Sequence, residues 1–101
     1  MPDLAAKFLV TAVNNGIQRA GHISIGDPVI DDVLRFWRSD FQIEPFGFAR
    51  AGYGTTPFDS MTSAIVMVKA VLYFKYYDWS FIGENGHNIL TDEDIKELES
   101  H

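Results

Sequence analysis

The clearest pattern in the chain is a helical one over residues 59–76. Apolar side chains recur there at three- and four-residue intervals, and no glycine or proline interrupts them. The recurring residues are Met61, Ala64, Ile65, Val68, Val71 and Leu72. The pattern predicts one long helix that begins near Phe58, capped either by Thr56 with Pro57 in the first helical position or by Asp59.

Further apolar residues extend round most of the circumference of this predicted helix. They include Val66, Met67, Tyr73 and Phe74. A helix with so wide an apolar surface has to be covered on more than one side. We therefore expect a sheet on one side, and either the C-terminal segment or another subunit on the other.

Residues before this helix carry the alternation and the turn signals of β-strands. The predicted strands cover residues 7–13, 17–25, 34–46 and 47–54, the last of them irregular. Asn14-Asn15-Gly16 favours a tight hairpin turn between the first two strands. The polar group Arg38-Ser39-Asp40 predicts a bulge or a turn within the third.

A short helix is predicted over residues 92–100. Thr91 precedes three acids that suit the positive end of a helix dipole, and Leu90 and Ile95 have the spacing of a hydrophobic staple. The sequence thus predicts an α+β fold. An antiparallel sheet of three to four strands packs against one long helix, with the short helix at the C-terminal end.

Charge is distributed unevenly along the chain. The formal net charge of −6 comes entirely from residues 78–101, which hold seven carboxylates and one lysine, because residues 1–77 balance seven acids against seven bases. Next to this acidic stretch, six of the nine residues from Tyr73 to Phe81 are aromatic. Aromatic side chains anchor protein interfaces and carboxylates attract a basic partner over long range, so the combination indicates a partner protein.

Composition excludes several other classes of protein. The 101 residues contain no cysteine, which rules out disulfides, thiolate zinc sites and a cysteine nucleophile. The first apolar run is too short for a secretory signal, and the longest, over 64–74, is interrupted by Lys69 and falls far below the roughly 20 residues of a membrane span. We expect a soluble, cytoplasmic protein that forms a single domain over residues 1–101.

No catalytic, metal or cofactor site is predicted. None of the three histidines has a second ligand at metal-binding spacing. A calcium loop counted from Asp78 has its glycine at Gly83, but an isoleucine stands at the fifth position. The sequence leaves open an acid-base pair between His22 and either Asp40 or Glu44 across the sheet.

Nucleic-acid binding is not expected. Residues 47–54 combine Phe48, Arg50 and Tyr53 in a strand that resembles an RNA-stacking surface. A net charge of −6 opposes the phosphate contacts on which such binding depends. The favoured interpretation of these residues is a structural strand.

An ordered series of short motifs resembles the DUF6968 family of small uncharacterised bacterial α+β proteins. The matching segments are Ile25-Gly26-Asp27-Pro28, Phe41-Gln42-Ile43-Glu44-Pro45-Phe46-Gly47, Tyr53-Gly54 followed after an insertion by Asp59-Ser60, and Phe81-Ile82-Gly83-Glu84. The family's Cys-Pro in the middle strand and its Gln-Ala-Leu after Asp-Ser are absent. The resemblance implies an α+β fold and assigns no functional residues.

Two functions from different classes fit these observations. The first is a non-enzymatic protein-binding module, such as an immunity-type inhibitor of a basic toxin. Its predicted partner-binding residues are Asp78, Trp79, Glu84, Asp92, Glu93, Asp94 and Glu97. The second is a small-molecule-binding domain or small enzyme, with a pocket between the long helix and the sheet lined by Trp37, Phe41, Tyr53 and Tyr73.

A homodimer is compatible with both functions. A two-layer domain of this size would leave part of the apolar helix, or the aromatic residues of segment 73–81, exposed to solvent. We therefore expect two copies to associate.

Overall fold

The computed structural model describes residues 4–100, which form an α+β fold with an antiparallel sheet. The strands are β1 (Leu4–Asn14), β2 (Ile17–Gly26), β3 (Val29–Asp31), β4 (Phe36–Glu44), β5 (Phe48–Gly54) and β6 (Ser80–Gly83), and the helices are α1 (Pro57–Phe74) and α2 (Asp92–Glu99). The predicted fold class is confirmed, but the sheet has six strands where three to four were predicted.

The sheet is centred on β4, β2 and β1. β2 and β3 pair with successive parts of β4, residues 41–44 and 36–38 respectively, while β5 pairs with residues 37–43. β5 therefore lies along the opposite edge of β4. At the other end of the sheet, β1 lies between β2 and β6.

The first hairpin forms at the predicted turn. Asn15 and Gly16 have φ angles of 49° and 80°, the left-handed pair that joins two twisted strands in two residues. The two strands that sequence reasoning missed, β3 and β6, have only three and four residues. Strands so short show no alternation, and their pairing partners are what define them.

The predicted bulge or turn at residues 38–40 is wrong, because β4 pairs with β5 in unbroken register there. Ser39 is fully buried, and its hydroxyl forms a 2.9 Å hydrogen bond with that of Ser60 on α1. The polar residue that suggested a break is thus satisfied inside the core. The chain turns earlier, where the Asp31 carboxylate accepts backbone hydrogen bonds and Arg35 takes a φ of 61°.

Helix α1 begins as one of the two predicted alternatives. The Thr56 side chain accepts a hydrogen bond from the Asp59 backbone N–H, and Pro57 occupies the first helical position. The stripe that faces the sheet is Ser60, Ala64, Val68 and Leu72. It meets buried residues of four strands, including Val10, Ile23, Phe41, Ile43 and Phe81.

Two glycines set how closely α1 approaches β5. A Cβ atom added at Gly52 would lie 2.2 Å from the Ala64 nitrogen, and one at Gly54 would lie 2.5 Å from the Asp59 Cβ. Only glycine fits at such a distance. The helix therefore rests directly on the strand backbone, and the space between them is closed along this line.

No helix within residues 4–100 is long and apolar enough to cross a membrane.

Candidate partner-binding surface

A surface groove of about 590 Å³ lies between the C-terminal half of α1, strand β6 and the segment that leads into α2. Eight of its eleven lining residues have apolar or aromatic side chains, among them Tyr73, Phe74, Tyr77, Trp79, Leu90 and Ile95. We call this feature the aromatic groove. Asp92 is the single charged residue among those that line it.

The walls of the aromatic groove are held by backbone pairing on both sides of β6. On one side β6 pairs with β1. On the other, a turn after Gly83 returns the chain so that Ile82 bridges Asn88 and the Ile89 N–H donates to the Phe81 carbonyl at 2.8 Å. The groove is therefore built at the edge of the folded sheet, and the residues that line it come from one stretch of the chain, 72–95.

The aromatic residues of segment 73–81 divide into two groups. Tyr76 stacks on Phe46 at a centroid distance of 4.4 Å, and Phe81 is buried against the same ring at 5.9 Å. Tyr77 and Phe74, by contrast, are 81% and 59% exposed at the groove. Exposed aromatic side chains that line one groove are typical of binding surfaces.

Helix α2 is fixed by hydrogen bonds at its start. The Thr91 hydroxyl accepts from the Asp94 N–H at 3.1 Å, and the Asp94 carboxylate accepts from the Thr91 N–H at 3.0 Å, which completes a capping box. The same carboxylate pairs with Lys69 of α1 at 2.8 Å. The Lys69 hydrogen bond is the largest cause that holds the pKa of Asp94 below its ordinary value, and the Thr91 hydrogen bonds add to it against the opposing effect of burial.

A second contact joins α2 to α1 near the other end of the short helix. The Tyr73 hydroxyl donates a 2.8 Å hydrogen bond to the Glu99 carboxylate, which raises the pKa of Tyr73 above its ordinary value. Together with the Lys69 pair, it places the C-terminal segment over the outer side of α1. This is the first of the two covers that the sequence suggested for the helix.

The structure brings together only some of the predicted partner-binding residues. Trp79 and Asp92 line the aromatic groove, while Glu93 and Glu97 are exposed on α2 and Asp78 is exposed beside Tyr77. Glu84 lies in the turn after β6, where it lines a separate small depression next to Leu9. The Asp94 carboxylate is half-buried and engaged within the molecule, as described above.

Sequence reasoning missed several residues of the groove. Phe74 and Tyr77 stood in the aromatic run but were not singled out, and Leu90 and Ile95 were interpreted as a staple for α2. One signal was available in the sequence. Tyr77 follows the predicted end of α1, so it lies outside the helical pattern of apolar residues that pack against the sheet. Gly83-Glu84-Asn85-Gly86 indicated a break in the chain, but the sequence did not show that residues 88–90 return to pair with β6.

The residues proposed for a pocket between α1 and the sheet are dispersed. Phe41 is 1% exposed in the core, and Tyr53 alternates with the helix-facing glycines, so it points to the opposite face of the sheet. Tyr73 alone of the four lines the aromatic groove.

The described part of the chain contains no assembled site for acid-base catalysis or for metal binding. His22 lies directly opposite Glu44 in the β2–β4 register, but within residues 4–100 no hydrogen bond joins their side chains. No group of three or more potential metal-ligating side chains forms among those residues.

No family model matches the chain, and no curated protein or solved structure is significantly similar to it. The resemblance to the DUF6968 family therefore stays a prediction.

Proposed function

We propose that this protein is a non-enzymatic binding module for a basic partner protein, and that it acts as an immunity-type inhibitor of a toxin or a comparable basic protein. The observation that carries the proposal is the pair of exposed aromatic rings, Tyr77 and Phe74, at a groove whose one charged lining residue is a carboxylate. Desolvated aromatic side chains supply much of the binding energy in protein interfaces.

Electrostatics support a basic partner. Among the described residues of the acidic stretch 78–100, Asp94 is the one carboxylate that forms an ion pair. The other carboxylates of this stretch are exposed, and together they give the C-terminal part of the described chain a negative field. A field of this kind raises the association rate of an oppositely charged protein by about 10- to 1,000-fold at low ionic strength.

The test begins with tagged protein expressed in its native host at low ionic strength. A captured protein is identified by mass spectrometry, purified and titrated by calorimetry at two salt concentrations. We expect a basic partner whose Kd rises with salt and whose affinity falls at least tenfold when Tyr77 and Phe74 are replaced together by serine. A complex whose Kd changes neither with salt concentration nor with the aromatic replacements would overturn the proposal.

A small-molecule site is the second candidate function, favoured by the volume of the aromatic groove. About 590 Å³ lies within the range of about 300–1,000 Å³ found for ligand pockets. A metabolite screen by thermal shift separates the two, since a ligand that binds only the native state raises the melting temperature. A rise in melting temperature that Trp79→Ala abolishes would favour the small-molecule site.

We also propose that two copies associate through the open edge of β1. β1 pairs with β2 in continuous register from residue 6 to residue 14, with a register shift between residues 4 and 6, whereas β6 covers only residues 10–13 of the other edge. The segment 5–9 thus has a strand edge with no partner strand among the described residues, and it exposes half of each of the apolar side chains Phe8 and Leu9. An edge of this kind pairs with an identical edge in antiparallel orientation.

A further inference from the structure

We propose that the aromatic groove binds an organic cation, the guanidinium or ammonium group of an arginine or lysine side chain on the partner. Aromatic faces would hold the cation, and the Asp92 carboxylate would supply its counter-charge. This inference rests on the proposed function for the location of the partner, and it names the chemical group that the groove recognises.

The first observation is the way this protein pairs its own cations with its aromatic rings. Arg50 lies over Phe48 at 4.9 Å, Arg19 over Phe46 at 5.7 Å, and Lys75 near both Phe48 and Tyr76 at 5.8 and 5.9 Å. Each of these rings belongs to the packed group on the sheet side of α1. Three cations of this protein therefore pack against aromatic faces on that side.

Among the described residues, no arginine or lysine lies over Tyr73, Phe74, Tyr77 or Trp79. Tyr73 and Phe74 meet at a centroid distance of 4.9 Å with their planes 86° apart, which forms a corner of two aromatic faces. A cation within about 6 Å of such faces is attracted by the ring quadrupoles.

The second observation is the charge at the groove. Asp92 lines it and is exposed, and within residues 4–100 no base forms an ion pair with its carboxylate. Lys69 is held by Asp94, and Lys96, one helical turn after Asp92 on α2, forms no ion pair within residues 4–100. A groove with aromatic walls and one unpaired carboxylate favours a cation over a neutral or anionic group, because both features attract positive charge.

The test uses Trp79 fluorescence, in a Trp37→Phe background that leaves Trp79 as the only tryptophan. The probes are a capped Gly-Gly-Arg-Gly peptide and its citrulline counterpart, which has nearly the same shape and no charge, at constant ionic strength. We expect saturable quenching by the arginine peptide and about tenfold weaker binding of the citrulline peptide.

Two matched pairs of variants locate the cation. Asp92→Asn should weaken binding of the arginine peptide about tenfold, while Glu93→Gln, the same charge change one residue away, should alter it less than twofold. Tyr77→Leu should weaken binding, and Tyr77→Phe, which keeps the aromatic face, should preserve it. Tyr77 is 81% exposed, so neither replacement threatens folding.

The outcomes separate this inference from the proposed function. Equal binding of the arginine and citrulline peptides, or equal effects of Asp92→Asn and Glu93→Gln, overturns the cation site, even where a salt-sensitive partner complex has been isolated. Arginine amide serves as the free cation: if it binds as tightly as the peptide, the cation is not protein-borne. Cation binding without any basic partner would overturn the proposed function alone.

Discussion

Two buried serines form a hydrogen bond that joins the sheet to the long helix. Ser39 lies in the middle of β4, where a polar residue suggested an interruption, yet it is completely buried. Its side-chain hydrogen bond is with Ser60, whose hydroxyl also donates to the Pro57 carbonyl at 2.8 Å. The pair ties the first turn of α1 to the centre of the sheet.

The two serines are predicted to differ in their contribution to stability. Ser60→Ala leaves the Ser39 hydroxyl buried without its partner and should lower the free energy of unfolding by about 1–3 kcal/mol. Ser39→Ala leaves Ser60 bonded to Pro57 and should cost only about 1 kcal/mol. Urea unfolding measures both. Equal losses would show that the Ser39 hydroxyl has another partner in the folded protein.

At the scale of elements, the sequence predicted those helices and turns that depend on residues close together in the chain. Helix α1, its Thr56 cap and the Asn15-Gly16 turn follow from spacing and from residue chemistry within a few positions. β6 could not be found in this way, because it exists through pairing with β1, which is distant in sequence. β3 pairs with β4 across a short turn, but its three residues are too few to show a strand pattern.

The same limit applies to the candidate site. The aromatic run and the acidic residues were visible in the sequence, and two of the predicted partner-binding residues, Trp79 and Asp92, line the same groove. Their geometry depends on β6 and on the turn that follows it. Sequence alone could not show that Glu84 lies away from the groove, or that Asp94 is used to hold α2.

Helix α2 is predicted to lose its docking in acid. The Asp94 pKa is lowered in the folded state, so its charge stabilises docking above the ordinary value of 3.8, and this stabilisation disappears as the pH falls through the lower folded value. Lys69→Met removes the main cause of the shift. It should weaken docking by up to about 1 kcal/mol and move the acid transition to higher pH.

Backbone chemical shifts of α2, followed from about pH 6 to about pH 2, measure this transition. Lys75→Met is the control, since it removes the same charge from a lysine that contacts aromatic rings and forms no ion pair among residues 4–100. A transition that does not move in Lys69→Met would show that the capping box alone holds the helix.

At the scale of the whole molecule, exposed apolar residues occur at several separate places. Val33 at the β3–β4 turn is 89% exposed, Phe58 at the start of α1 is 76% exposed, and Leu9 on β1 is 53% exposed. Of these, only Leu9 lies on a strand edge with unpaired backbone, where side-chain burial and new hydrogen bonds would act together.

Introducing a charge is therefore predicted to prevent dimerisation when it lies on the open edge of β1, and to have no such effect elsewhere on the surface. Light scattering at tens of micromolar should give twice the chain mass of 11.4 kDa. Leu9→Lys should return the protein to a monomer, because it removes an apolar contact and places a second lysine beside Lys7 on the same face of the edge. Val33→Lys adds the same charge to a more exposed residue and should leave the dimer intact. A monomer in the unaltered protein, or a dimer that survives Leu9→Lys, would reject this interface.

The pairing of β6 with β1 has a consequence for synthesis of the protein. Residues 80–83 complete the sheet against residues 10–13, so nearly the whole described chain separates two neighbouring strands. During synthesis on the ribosome, one side of β1 stays uncovered until residue 83 has left the exit tunnel. During that interval the bare strand is a natural target for chaperones, and a polypeptide cut short before residue 80 would carry that exposure permanently.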